Sequence, residues 1–401
     1  MIWREATLGE LARRDGGVIQ TGPFGSQLHQ ADYQDEGIPV IMPRDIAGGR
    51  VSLESIARVS EETANRLERH KLRPRTIVLP RRGEITKRAY ITAEQEGWLC
   101  GTGCLKIELN GQDLVPEYLY YFMEQGHVVR WLEQHAVGTT MLNLSAAIVA
   151  NLPIRYPAAE TQREIANILS AYDDLIENNR RRMALLEEAA RQLYREWFVR
   201  LRFPGHEHTP VNDGVPEGWN QRPLFDLATA TYGHPFQSGL FTEDGEGLPV
   251  VRIRDVLAGE SRTFTVEEAP PDRRLSNGDL LIGMDGEFHM GLWAGSDAWL
   301  NQRVVRIKGN EELDDCLLFW MLRQPIRAFN QTITGTTVVH LGAKELKTIR
   351  LLVPPHALLT QANALFCSMG KQIVTLKIQN QKLRAARDLL LPRLISGEIA
   401  V

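Results

Sequence analysis

ETQREIANILSAYDDLIENNRRRMALLEEAARQLYREWF, residues 160–198, contains no Gly or Pro and consists almost wholly of residues that tolerate a helix. Apolar side chains recur at Ile165, Ile168, Tyr172, Leu175 or Ile176, Met183, Leu186, Ala190, Leu193 and Trp197. The steps are mostly threes and fours, so one stripe runs along one side of a helix. At about 1.5 Å per residue the stretch makes a rod of roughly 60 Å. So narrow a stripe on so long a rod calls for another helix against it.

The partner lies near the other end of the chain. Between residues 359 and 390, Leu359, Phe366, Ile373 and Asn380 hold one heptad position, and Ala362, Met369, Leu376, Leu383 and Leu390 the other. That alternation is a coiled-coil signal. The expected seam pairs Ile165, Tyr172, Asn179, Leu186 and Leu193 with Phe366, Ile373, Leu376, Asn380 and Leu383. Each stripe carries one Asn, Asn179 or Asn380, which either specifies register as a buried polar residue or faces water where packing frays. Both readings stay open. AARQL at 189–193 returns as AARDL at 385–389. A whole domain separates the two helices, so the pairing expected is antiparallel.

Composition narrows the class. A chain of 401 residues holds two or more domains, and 43% hydrophobic with 24% charged residues is ordinary for a globular protein. MIWREATLGE is not a signal peptide and no long apolar run follows, so a cytoplasmic protein without membrane contact is expected. Cys100, Cys104, Cys316 and Cys367 are too few and scattered for a disulfide framework and lack metal-site spacing. They read as structural thiols. The net charge of −4 is not that of a generally basic nucleic-acid binder, so the distribution of cations matters more than their sum.

The chain uses one plan twice. Residues 1–157 read as a short helix (Leu8–Arg13), a strand and Gly/Pro-rich loop in VIQTGPFGSQL, a buried strand GIPVIMPRDI from Gly37, two strands around a Gly turn in TIVLPRRGEITKRAYI from Thr76, a buried strand with tight turns in WLCGTGCLKIEL ending at Leu109, a helical stretch Pro116–His135, and a closing strand LPIRYP. After the Pro/Gly/His-rich run LRFPGHEHTPVNDGVPEGW the order returns. ATYGHPFQSGLF answers TGPFGSQL, GLPVVRIRDV answers GIPVIMPRDI, and KTIRLLVPP answers NLPIRYP. Two copies indicate a duplicated unit, not a solenoid. The fold class expected is mixed α/β. Its divisions are globular domain 1–157, long helix 158–203, globular domain 204–354 and second long helix 355–401.

A search for catalysis finds little. The chain has no P-loop, HExxH or GxSxG word, and no Asn/Asp-Pro-Pro-aromatic signature of amino-methyltransferases. His206-Glu207-His208 lies in a polar linker and reads as exposed loop. Asp285-x-Glu287 and Glu345-x-Lys347 lack the spaced acid that a metal nuclease needs. Clustered cations beside Gly-bearing loops do recur. Arg66, Arg69, Lys71, Arg73, Arg75, Arg81, Arg82, Lys87 and Arg88 gather in the first half. Arg252, Arg254, Arg262, Arg273, Arg274, Arg303, Arg306 and Lys308 gather in the second. Arg suits bidentate contact with guanine or phosphate, and Gln with adenine. Gly138-Thr139-Thr140 and Gly335-Thr336-Thr337 offer hydroxyls and N–H groups to a phosphate. As sets, the clusters favour DNA.

TGPFGSQL with GIPV, WLCGTGCLKI, ETQREIANILSAYDDLIENN, LYREWFVRLRFPG, VPEGW and LLLPRLISGEI together resemble the DNA-specificity subunit of type I restriction–modification systems, over nearly the whole chain. The resemblance implies two target-recognition domains separated by an antiparallel two-helix coiled coil, with an internal pseudo-twofold. It implies a non-catalytic subunit that recognises a bipartite, asymmetric stretch of double-stranded DNA. The partners implied are two modification subunits, which carry S-adenosylmethionine and methylate adenine, and restriction subunits that use ATP and Mg. This chain itself is expected to hold no cofactor or metal. The loop positions carried over are Ser26, Gln27, Arg44, Arg81, Arg82, Lys87, Arg88, Thr139 and Thr140 in the first module. In the second they are Gln237, Ser238, Arg252, Arg254, His289, Thr336, Thr337 and His340. Module two has GMDGEFHMG where module one has PRRGEITKR, so it offers fewer cations, or His289 in their place. A coiled-coil scaffold that binds only proteins is the alternative, and the steepness of any salt dependence separates the two.

Overall fold

The computed structural model describes residues 2–138, 142–332 and 340–401. The chain forms two compact units, one of residues 1–173 with 385–401, the other of residues 174–384.

In the first unit, Arg4–Thr7 pairs antiparallel with Pro153–Tyr156 and so closes the domain. Thr7 then caps the helix Leu8–Arg14 in a capping box with Glu10. One four-stranded antiparallel sheet runs in the order Val18–Thr21, Cys104–Glu108, Ile77–Pro80, Ala89–Tyr90. A second runs Leu99–Cys100, Ile38–Ile41, Ala57–Val59, Tyr33–Gln34, its first pair parallel. Side chains alternate across a strand. Ile77, Leu79, Leu105 and Ile107 therefore pack toward the helices, whereas Val78 and Cys104 join Ile41 and Cys100 in a smaller core.

The second unit repeats this frame. Asn220–Pro223 pairs with Arg350–Val353. One sheet runs Ala228–Tyr232, Val304–Gly309, Leu280–Gly283, Met290–Leu292. The other runs Phe264–Thr265, Leu248–Val251, Ala298–Leu300, Arg274–Leu275, again with one parallel pair. Leu280 and Ile282 face one core and Leu281 the other.

The long helices span Ala159–Tyr194, ending in a π turn Arg195–Val199, and His356–Ser396. Within the first unit, Ile165, Ala166 and Leu169 share a core with Leu391, Leu394 and Ile395. Within the second, Asn179 meets Asn380, while Tyr194 and Phe198 lie 6.4 and 6.5 Å from the Phe366 ring. Rising numbers on one helix meet falling numbers on the other, so the pairing is antiparallel. Leu376 is buried in the seam, and Tyr172, Leu186, Leu193, Ile373 and Leu383 are half-buried. Both Asn residues are buried. The Asn179 amide donates to Asn380 Oδ1 at 2.9 Å, and Asn380 Nδ2 donates to the Ile176 carbonyl at 3.2 Å. That decides for the register-setting reading.

Several expectations are corrected. Ile168 faces solvent and Leu169 takes the buried place one residue on, whereas of the alternatives Leu175 and Ile176 it is Ile176 that is buried. Steps of three and four are both compatible with one helical face, and the core of each unit selects between them. WLCGTGCLKIEL is not one strand, because Leu99–Cys100 and Cys104–Glu108 belong to different sheets. Pro116–His135 divides into helices Pro116–Phe122 and Gly126–His135. No helix among the described residues is long and apolar enough to cross a membrane.

Two buried titratable groups give the units opposite acid responses. Burial, aided by Arg69 and Lys106, pushes His70 in the first unit down to about 4 from its ordinary 6.5. Below pH 6.5 the unfolded chain takes a proton that the folded chain refuses, so this contribution is lost as pH falls toward 4. Burial pushes Asp315 in the second unit up to about 6 from 3.8, although its Oδ1 accepts from the Gly309 amide at 2.7 Å. The folded state holds that proton more tightly, so its contribution is full below 3.8 and is lost as pH rises through 6. Thermal melts of His70→Gln and Asp315→Asn against wild type should differ in opposite senses across pH 4–6.5. Wild type should lose ground to the His70 variant on acidification and gain on the Asp315 variant. Parallel difference curves would refute the assignment.

Candidate nucleic-acid interface

The polar loops of each unit are drawn together at one edge of the sheets by backbone hydrogen bonds. In the first unit Gly22 N–H donates to Cys104 O, Gly101 N–H to Ile41 O, Arg81 N–H to Gly103 O, and Leu144 N–H to Arg81 O, at 2.8–2.9 Å. In the second, His234 N–H donates to Leu300 O, Gln302 N–H to His234 O, Met284 N–H to Arg303 O and Leu341 N–H to Met284 O, also at 2.8–2.9 Å. Gly22 and Gly233 hold equivalent places in this frame. A Cβ at either would collide with a neighbouring carbonyl, of Gly101 or of Asn301, so only glycine lets the loop approach.

A second repeated device orients a cation. Asp45 and Asp255 are buried and accept the backbone N–H of Met42 and Arg252, at 2.8 and 2.9 Å. Burial raises both carboxyls above their ordinary range. Their neighbours Arg44 and Arg254 both point outward. Arg44 donates to Ser55 O at 3.3 Å and lies 3.7 Å from Asp45 Oδ1.

The other expected positions fall into four groups. Ser26, Arg82, Gln237, Ser238 and His340 are exposed on the loops. Gln27, Arg81, Lys87, Arg252 and His289 are half-buried with local partners. Gln27 Oε1 accepts from Phe24 N–H at 3.1 Å, and Lys87 pairs with Glu84. The Arg81 guanidinium sits 5.9 Å from the Phe24 ring centroid, and that of Arg252 5.7 Å from Phe241. Arg252 also donates to Thr263 Oγ1 at 2.5 Å. Arg88 leaves the candidate set. It is buried, donates to Tyr120 O at 2.9 Å and pairs with Glu124 at 2.9 Å, so its charge is used within the fold. Thr139, Thr140, Thr336 and Thr337 lie outside the described residues.

The missing cations of GMDGEFHMG have a structural counterpart. Asp285 accepts from His340 Nδ1 at 2.7 Å and pairs with Arg303 at 3.0 Å, so the second loop edge carries a carboxylate held between an imidazole and a guanidinium. His289 instead lines a cleft of about 650 Å³ in the same unit. Arg191, Arg195, Arg323, Arg327 and Lys377 also line it, against Glu187 as its single carboxylate. Arg323 covers the Trp320 ring at 4.8 Å. Sequence reading missed Phe24 and the pairing role of Asp285. Phe24 carries a visible signal, an aromatic ring set just before Gly25 in a loop.

Residues 3–188 match the model of the type I restriction modification DNA specificity domain. The MjaIX type I restriction enzyme specificity subunit of Methanocaldococcus jannaschii is 24% identical over 387 residues, 92% of this chain and 88% of that one. Over most of its length the chain is thus similar to type I restriction–modification specificity subunits, and residues 3–188 carry the family's DNA specificity domain. The EcoBI specificity subunit of Escherichia coli adds a stronger local match, 33% identical over 144 residues, 36% of this chain and 30% of that one. The solved S subunit of the type I restriction-modification system of M. genitalium shares the fold, with a TM-score of 0.65 at 17% identity, covering 98% of this chain and 96% of that one. The matched domain and the relatives support sequence-specific DNA recognition within a type I restriction–modification complex.

Proposed function

We propose that the two loop edges read the two halves of a bipartite, asymmetric DNA target, and that this chain directs adenine methylation and restriction carried out by other subunits. One observation carries the reading. The same pinned loop frame is built twice but presents Arg81 and Arg82 in the first unit, and Asp285, Arg303 and His340 in the second. A shared frame with different side chains suits two half-sites of different sequence. The residues proposed to meet DNA are Ser26, Gln27, Arg44, Arg81, Arg82 and Lys87, with Gln237, Ser238, Arg252, Arg254 and His340 in the second unit.

Two modification subunits would supply S-adenosylmethionine and the methyl transfer, and restriction subunits would supply ATP, Mg and cleavage. The cation-lined cleft supports docking of a partner protein, since five cations against one carboxylate suit an acidic surface. Mapping methylated adenines with the gene intact and deleted tests the assignment. The expected outcome is a two-part motif with an unread spacer, lost on deletion. A single contiguous motif, or one that survives deletion, would overturn it. Methyl transfer by the purified chain alone would overturn the non-catalytic role.

A further inference from the structure

Phe24 is unusual on this surface. Its side chain is 56% exposed, and Phe225 is the other large aromatic exposed among the described residues. The ring does not flex freely on a loose loop. Phe24 N–H donates to Gln27 Oε1 at 3.1 Å, and Phe24 O accepts from the Gln27 and Leu28 amides at 2.8 and 3.2 Å. Leu28 is buried, and Arg66 donates to Gln27 O at 2.8 Å while pairing with Asp32. Gly22 anchors the other end of the loop in the sheet. A ring held out this firmly loses little conformational freedom when a flat partner lands on it.

The surroundings say which flat partner. The Arg81 guanidinium lies 5.9 Å from the ring centroid, with its buried Nε unpartnered among the described residues, and exposed Arg82 follows it. An aromatic ring flanked by cations on a DNA-reading edge is the arrangement that stacks on a nucleobase while neighbouring charges hold phosphates. The second unit differs in exposure, since Phe241, 5.7 Å from the Arg252 guanidinium, is half-buried. Phe236, at the corresponding place in ATYGHPFQSGLF, is buried, with its ring 6.2 Å from Trp299 and 4.8 Å from His234.

We propose that Phe24 stacks on a base of the first half-site, so that this half is read partly through how readily a base step opens. The inference rests on the reading that the loop edge faces DNA. Its test uses the full chain and a duplex of about 40 base pairs, roughly four turns, carrying the site returned by methylation mapping. Phe24→Ala should bind about tenfold more weakly than wild type, and Phe24→Trp close to it. The salt slope of Phe24→Ala should match wild type, whereas that of Arg82→Ala should fall by about one. 2-Aminopurine placed along the first half-site should brighten with wild type and Phe24→Trp at one position, and stay dark with Phe24→Ala. An unchanged melting temperature shows that the variant is folded. Wild-type affinity and fluorescence from Phe24→Ala, or an equal loss on a scrambled duplex, would overturn the stacking role. A wild-type chain that does not distinguish the site from the scrambled duplex would sink the DNA-reading assignment of the loop edge instead.

Discussion

Replacing Arg387 by Ala should destabilise the first unit by about 3 kcal/mol, the low end of the range for breaking a buried ion pair. Arg387 sits at the centre of a charged network built within that unit. Its Nη1 donates to Asp173 Oδ1 at 2.6 Å and its Nη2 reaches Glu124 Oε1 at 3.5 Å. Tyr121 Oη donates to the second Asp173 oxygen at 2.8 Å, and Arg88 pairs with the second Glu124 oxygen. Arg387 is 19% exposed, so solvent screens it only partly. Truncation takes from Asp173 the cation that balances it, and that uncompensated carboxylate is the larger part of the loss. Amide exchange should accelerate in Pro116–Phe122, where the network holds the Tyr121 hydroxyl. A loss below about 1 kcal/mol in urea unfolding would mean that water already screens the pair as at a surface.

The second large effect concerns Asn380. Asn380→Leu should lower stability by about 2 kcal/mol, because Asn179 would keep a buried amide with nothing to receive its hydrogen bond. The double variant Asn179→Leu/Asn380→Leu should recover most of that loss or exceed wild type, since two apolar groups of similar size need no partner. A double-mutant cycle measures the coupling directly. Two single variants with additive, small effects would show that the pair is solvated and sets no register.

How far the sequence foretold these features varied with their physics. The helices were legible because a stripe of threes and fours sustained over many turns fits little besides a helix packed along one side. Ile168 and Leu169 were not separable, since both fit the stripe and only the core they meet distinguishes them. The strands Ala57–Val59 and Tyr33–Gln34 are two or three residues long, too short for any period to show. The helix Asp315–Thr332 contains Pro325, which reads as a break until its tertiary packing is seen. At the loop edge, Arg82 and Arg88 belong to one run of cations. Sequence assigns them the same chemistry, and only the position of Glu124 places one inside and the other in water. Phe24 carries a visible place in a repeated motif, just before Gly25, yet its exposure is not legible along the chain, because a single ring leaves no period.

The first unit is completed by Ala385–Val401, which supplies Leu391, Leu394 and Ile395 to a core otherwise built from residues before Asp173. On a ribosome adding about 5–20 residues per second, the intervening stretch takes on the order of 10–40 s to emerge. The unit made first is therefore finished last, and it waits with an open apolar groove while the contiguous unit 174–384 can fold as it appears. Nascent chains stalled before Ala385 should accordingly engage chaperones through their amino-terminal half, which puts quality control of the first unit after synthesis of the second.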